Sequence, residues 1–144
     1  MKILVSSCLL GNNCKYNGGN SRNEALLHRL SGHEIIPVCP EVAGGLPTPR
    51  VPAEIVNGIV VNREGQNVDA AFRSGAAAVL ELAKNEQPDL IILQSRSPSC
   101  GAKEIYDGTF SGKLISGQGV FAALASEAGY TVKDVEDFLQ EDAP

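Results

Sequence analysis

Lys2-Ile3-Leu4-Val5-Ser6-Ser7-Cys8 is the stretch that decides the fold. Ile3, Leu4 and Val5 form a continuous apolar run, which suits a strand buried on both faces, as in a parallel sheet. The run then stops at two serines and a cysteine. The same arrangement recurs further along the chain. His33 to Val38 reads as a strand ending in Cys39-Pro40-Glu41. Asp89 to Gln94, with Leu90-Ile91-Ile92-Leu93 at its centre, leads into Ser97-Pro98-Ser99-Cys100-Gly101.

Helical patterns separate these strands. Asn20 or Ser21 can cap a helix running to about Leu30, with Ala25, Leu26, Leu27 and Leu30 at helical spacing. The clearest helix spans about Val68 to Lys84, with Val68, Ala71, Phe72, Gly75, Val79 and Leu82 on one face, and Pro88 punctuates its end. Gly11 to Asn20 is too rich in Gly and Asn to continue any element. Pro47, Pro49 and Pro52 deny the following loop its ladder hydrogen bonds. Asn57-Gly58, between Glu54–Val56 and Ile59–Val61, signals a two-residue hairpin. A loop through Ser116 leads to a helix near Gly119 to Ala128, a short strand from Tyr130 to Lys133 and a terminal helix from Asp134 to Leu139. Strands alternating with helices predict an α/β fold: a three-layer sandwich around a mostly parallel, Rossmann-like sheet plus a small β-hairpin. No repeat or linker divides residues 1–144, which are expected to form a single domain.

Composition narrows the function. With 43% hydrophobic and 20% charged residues, the chain can build a core without disulfide staples and does not read as disordered. No run is long and apolar enough to span a bilayer. The N-terminus enters a strand pattern rather than an apolar signal core, so a cytoplasmic location is expected. There, four cysteines read as metal-binding, catalytic or buried thiols rather than disulfides. A net charge of −5 works against long-range attraction to nucleic acid and favours a small ligand.

Right-handed crossovers put all strand C-termini on one edge, where open parallel sheets bind their ligands. Cys8, Cys39 and Cys100 each follow such an end, so they are expected to converge. Converging thiolates suit zinc, copper(I) or an iron–sulfur cluster. A closed structural zinc site would use tight Cys-x-x-Cys pairs, which are absent. Three ligands on a 4Fe-4S cluster would leave one iron open. An isolated cysteine is more often a buried small hydrophobe, and that reading weakens when three recur at strand ends. Cys14 reads as a fourth ligand, a nearby thiol that handles sulfur or a structural residue, with the last two favoured. Glu41 is the best-placed carboxylate for acid–base work, with a salt bridge to Arg50 as its alternative role. Ser97 and Ser99 can bind a substrate or cap their own turn. Arg50, Arg96, Lys103 and Lys113 are candidates for an anion, as are free N–H groups after Gly117-Gln118-Gly119. His28 and His33 lie away from this edge and read as structural.

Taken together, Ser7-Cys8-Leu9-Leu10-Gly11, Val38-Cys39-Pro40-Glu41, the Pro49-Arg50 loop, Ser97-Pro98-Ser99-Cys100-Gly101 and Ile105-Tyr106-Asp107-Gly108-Thr109-Phe110 resemble the signature of the thiouracil desulfidase family. The resemblance runs from the first strand to the Gly119 helix. It implies a 4Fe-4S cluster on Cys8, Cys39 and Cys100 and removal of sulfur from a thiolated uracil, giving the oxo form. It also implies a small substrate, such as 4-thiouridine monophosphate or a free thiouracil; thiolated tRNA fits a short acidic chain less well. Within that reaction Glu41 would be the general base, Ser97 or Ser99 would hold the sulfur or pyrimidine edge, and Arg50 or Lys103 the phosphate. The competing classes are a non-catalytic iron–sulfur or zinc-binding module and a redox thiol enzyme using Cys8 and Cys14.

Overall fold

The computed structural model describes residues 1–141. Its main sheet has the order β2-β1-β5-β8, with β1 Lys2–Ser6, β2 Glu34–Val38, β5 Leu90–Leu93 and β8 Val132–Asp134. Every pairing in it is parallel, with Ile3 opposite both Ile35 and Leu90. Side chains alternate across β1 and β5, and this alternation builds the layers. Ile3, Val5, Leu90 and Ile92 pack with Leu26 and Leu30 of α1 (Glu24–Leu30) and with Val135 and Phe138 of α5 (Val135–Gln140). Leu4, Ile91 and Leu93 pack on the other face, against α3 (Asp69–Glu86) and α4 (Val120–Glu127). The architecture is the expected three-layer α/β fold. Pro37, which has no N–H to donate, is tolerated because β2 is an edge strand.

Two antiparallel hairpins stand apart from the main sheet. The first joins β3 Ala53–Val56 to β4 Ile59–Asn62, with φ of 51° at Asn57 and 80° at Gly58. Positive φ at both turn residues matches the right-handed twist of the strands. The second joins β6 Glu104–Tyr106 to β7 Leu114–Ser116, in a region expected to be loop. Its strands hold only three residues each, too few to display an alternating pattern. The first helix is capped by Asn23, whose Oδ1 accepts from Leu26 N at 3.0 Å, rather than by Asn20 or Ser21. Asp134 caps α5 as its position suggested, accepting from Glu136 N at 2.8 Å.

β1 feeds β2 on one side and β5 follows on the other, so the direction of the crossovers reverses between β1 and β5. Ligands of open parallel sheets bind at this switch point. A hydrogen bond from Gln94 N to Ser6 Oγ, 3.0 Å, ties the two strand ends together.

Candidate functional site

Each strand end leads into a short, strongly constrained segment. After β1, Ser7–Leu10 forms a single 3-10 turn, closed by Gly11 at φ 100°. After β2, Cys39 is the N-cap of α2 (Pro40–Ala43), a helix too short to announce itself in sequence. Proline at its first position has no N–H to leave unpaired. The backbone of α2 lies directly on α3. A Cβ at Gly75 would come 1.8 Å from Pro40 O, and one at Gly44 would come 2.0 Å from Ala71 O. Those two glycines therefore fix where Cys39 and Glu41 sit.

The segment after β5 folds on itself. Ser97 Oγ accepts from Ser99 N at 3.1 Å and from Cys100 N at 2.8 Å. The start of α4 then clamps it: Val120 N donates to Pro98 O at 2.8 Å and Phe121 N to Ser99 O at 2.9 Å. Gly119 N donates to Gly101 O at 2.8 Å. The N–H groups expected to cradle an anion there hold the Cys100 loop instead.

These segments and the two hairpins enclose a cavity of about 850 Å³. Cys8, Cys14, Cys39, Glu41, Arg50, Ser97, Ser99 and Cys100 all line it. Lys103 does not. Its Nζ sits 2.7 Å from Asp137 Oδ1, outside the cavity, so the expected phosphate role finds no geometric support there. Arg50 lines the cavity with its donors already engaged. Nε and Nη2 reach Glu41 Oε1 at 3.1 and 3.0 Å, Nη1 reaches Pro47 O and Thr48 Oγ1, and Nη2 reaches Cys14 O at 2.9 Å. The Arg50 and Glu41 side chains are only 8% and 14% exposed, so the pair is little screened.

Glu41 Oε2 accepts from Ser99 Oγ at 2.7 Å, and Ser97 Oγ lies 2.9 Å from Ser99 Oγ. A hydroxyl has one hydrogen, so Ser99 gives it to the carboxylate and accepts from Ser97. The result is a chain of hydroxyls ending on Glu41, with Ser99 Oγ also 3.6 Å from Cys100 Sγ.

Three of the thiols, Cys8, Cys14 and Cys100, are held above the ordinary thiol range. Burial pushes Cys8 up to about 12, and the neighbouring Cys100, Cys14 and Cys39 add to it. Burial likewise pushes Cys100 up to about 12, against a hydrogen bond from Ser6 that favours its thiolate. Cys14 rises to about 11, chiefly through burial and then through Cys39, with Arg50 opposing. Thiols in this state are poor nucleophiles, which speaks against a redox enzyme built on Cys8 and Cys14. They become ligands only for a centre that brings its own positive charge. Among the described residues no three His, Cys, Asp or Glu side chains are grouped closely enough to hold one ion.

Sequence reasoning missed the cavity's second wall. Glu54, Asn62, Arg63, Tyr106 and Phe110, all on or beside the hairpins, line it as well. The available signals were Glu54, a charged residue in an otherwise apolar strand, and the Ile105–Phe110 stretch, which carries part of the family resemblance without a role of its own.

The chain matches the family model described as 2-thiouracil desulfurase over residues 3–137. It is 44% identical over 140 residues to YbbK, an uncharacterized protein of Bacillus subtilis (strain 168), covering 90% of this chain and 93% of that one. Among solved structures it resembles one described as the 4Fe-4S-dependent thiouracil desulfidase TudS, with a TM-score of 0.89 and 40% identity. That match covers 94% of this chain and 91% of the other.

Proposed function

Because the chain belongs to the 2-thiouracil desulfurase family, we propose that it is a 4Fe-4S-dependent desulfidase acting on a small thiolated uracil compound. The observation that carries this reading is the set of three strand-end cysteines, Cys8, Cys39 and Cys100, around one cavity. Thiols that share a cavity at three strand exits are soft donors suited to an iron–sulfur cluster, and in this reading they hold it. When bound, such a cluster supplies an iron with an open position, a Lewis acid toward the sulfur of the thiocarbonyl.

The chain's own residues supply the rest. Arg50 fixes the Glu41 carboxylate from one side through Oε1, and Ser99 fixes it from the other through Oε2. Glu41 takes a proton from a water that attacks the thiocarbonyl carbon. Ser97 and Ser99 carry protons between Glu41 and the departing sulfur, which is released as hydrogen sulfide. Thiocarbonyl and water become carbonyl and sulfide with no change in oxidation state, so no external reductant is needed. Arg50 acts in this scheme as the orienter of Glu41 rather than as the phosphate ligand.

The finer proposal is that the substrate is 4-thiouridine monophosphate or a related small thiouracil compound, handled in the cytoplasm, where thiols stay reduced. A cavity of about 850 Å³ has room for more than a free base. The test is to incubate anaerobically reconstituted protein with 4-thiouracil, 4-thiouridine, its monophosphate and thiolated tRNA, following loss of thiocarbonyl absorbance. Turnover fastest for a small substrate is expected. An intact cluster that turns over none of them would leave the binding-module reading in its place.

A further inference from the structure

Two residues of the hairpin wall have no part in the reaction proposed above, and both face its cavity: Arg63, just after β4, and Phe110, beyond β6. The cations lining that cavity are Lys15, Arg50, Arg63 and Arg96. Arg50 is held by Glu41, and Arg96 by Glu104 and Glu136. Among the described residues no carboxylate pairs with Lys15 or Arg63, and of the two it is Arg63 whose Cζ lies over the Phe110 ring, 5.9 Å from the centroid.

Phe110 is held in an unusual way. Its φ is 57° and that of Gly108 is 94°, in a region that bulky side chains avoid. The carboxylate of Glu54, in β3 and 9% exposed, accepts from Gly108 N at 2.9 Å and from Phe110 N at 3.1 Å. A Cβ at Gly108 would come 2.7 Å from Ile55 O, so the loop sits hard against the first hairpin. A buried carboxylate is costly unless it is hydrogen-bonded. Here it pins a strained loop that presents the Phe110 ring to the cavity, beside Arg63 just after β4.

We propose that Phe110 and Arg63 form an outer substrate subsite for a pyrimidine nucleoside monophosphate. Phe110 takes a flat face of the nucleoside and Arg63 takes the phosphate. Glu54 is a positioning residue that acts through the Phe110 loop. This deepens the desulfidase reading, on which the identity of the base rests. Aromatic stacking and a guanidinium–phosphate contact are the two ordinary ways of holding such a molecule.

The experiment is calorimetric titration of the reconstituted protein with uridine 5′-monophosphate and with uridine, the unreactive oxo forms. Arg63→Ala is expected to weaken the monophosphate about tenfold and to leave uridine unchanged. Phe110→Ala is expected to weaken both about tenfold, and Phe110→Tyr to restore them. Glu54→Ala should follow Phe110→Ala, and Glu54→Gln should recover binding, because its amide oxygen still accepts both N–H groups. Cluster absorbance should be unchanged throughout. Equal weakening of uridine and its monophosphate by Arg63→Ala, or no effect of Phe110→Ala, would overturn the subsite. The binding preferences without turnover of any thiolated substrate would sink the reaction and keep the subsite. Turnover without the preferences would do the reverse.

Discussion

The two ends of the parallel sheet are made by the same strands and are built in opposite ways. At the starting ends, Lys2 Nζ lies 3.2 Å from Glu86 and 3.6 Å from Glu34. Asp89 Oδ2 accepts from Lys2 N at 2.8 Å, and the Met1 amino group sits 2.9 Å from His33 Nδ1. These groups are open to solvent, which screens them, and such pairs add little to stability. At the finishing ends, Cys8, Cys100, Ser6 and Ser99 are buried, and Glu41 and Arg50 are nearly so. The contrast follows from topology. A parallel sheet delivers every strand exit to one edge, so Cys8, Cys39 and Cys100 can share a cavity without long loops. The opposite edge only receives returning chain.

Substitutions at the two ends should therefore differ sharply, and the largest effect is expected at the thiols. Cys8→Ala, Cys39→Ala or Cys100→Ala should each remove cluster absorbance and iron after anaerobic reconstitution, with loss of activity. Retention of a full cluster by any one of them would remove that residue from the ligand set. Glu41→Gln should keep the cluster and lower kcat about a hundredfold or more, the usual range for losing a general base. A normal kcat would move the base elsewhere. Gly75→Ala tests whether the backbone contact of α2 on α3 sets the Cys39 position. The added methyl has no room, so a loss of about 1–3 kcal/mol in denaturant unfolding is expected, with reduced iron content. Cys14→Ala should be mild. The residue serves through its carbonyl, which accepts from Arg50 at 2.9 Å and lies 3.9 Å from Cys39 Sγ, and alanine keeps that carbonyl. Lys2→Ala, at the opposite end, should leave thermal stability and turnover unchanged. A marked loss of turnover there would break the comparison.

The finishing ends were legible in sequence for a physical reason. Residues buried on both faces of a strand leave an unbroken apolar run, and the polar residues after it mark the exit. Leu90-Ile91-Ile92-Leu93 before Ser97-Pro98-Ser99-Cys100 is such a case, and Asn57-Gly58 was equally plain because few residue pairs accept positive φ twice. The rest depended on contacts between distant segments. Nothing local to Pro40-Glu41-Val42-Ala43 shows that Gly75 makes room for it. Nothing near Gly119 shows that its helix start is taken up by the Cys100 loop. Lys103 looked free because Asp137 lies far along the chain. The hairpin from Glu104 to Ser116 is held partly through Glu54, and no periodicity records a link of that kind.

The most direct test of the working edge is a metal and sulfide count on the anaerobically reconstituted protein, beside its visible absorption. About four irons and four sulfides per chain, with the broad absorption of a thiolate-bound cluster, are expected. A single zinc per chain with no visible absorption would contradict the account.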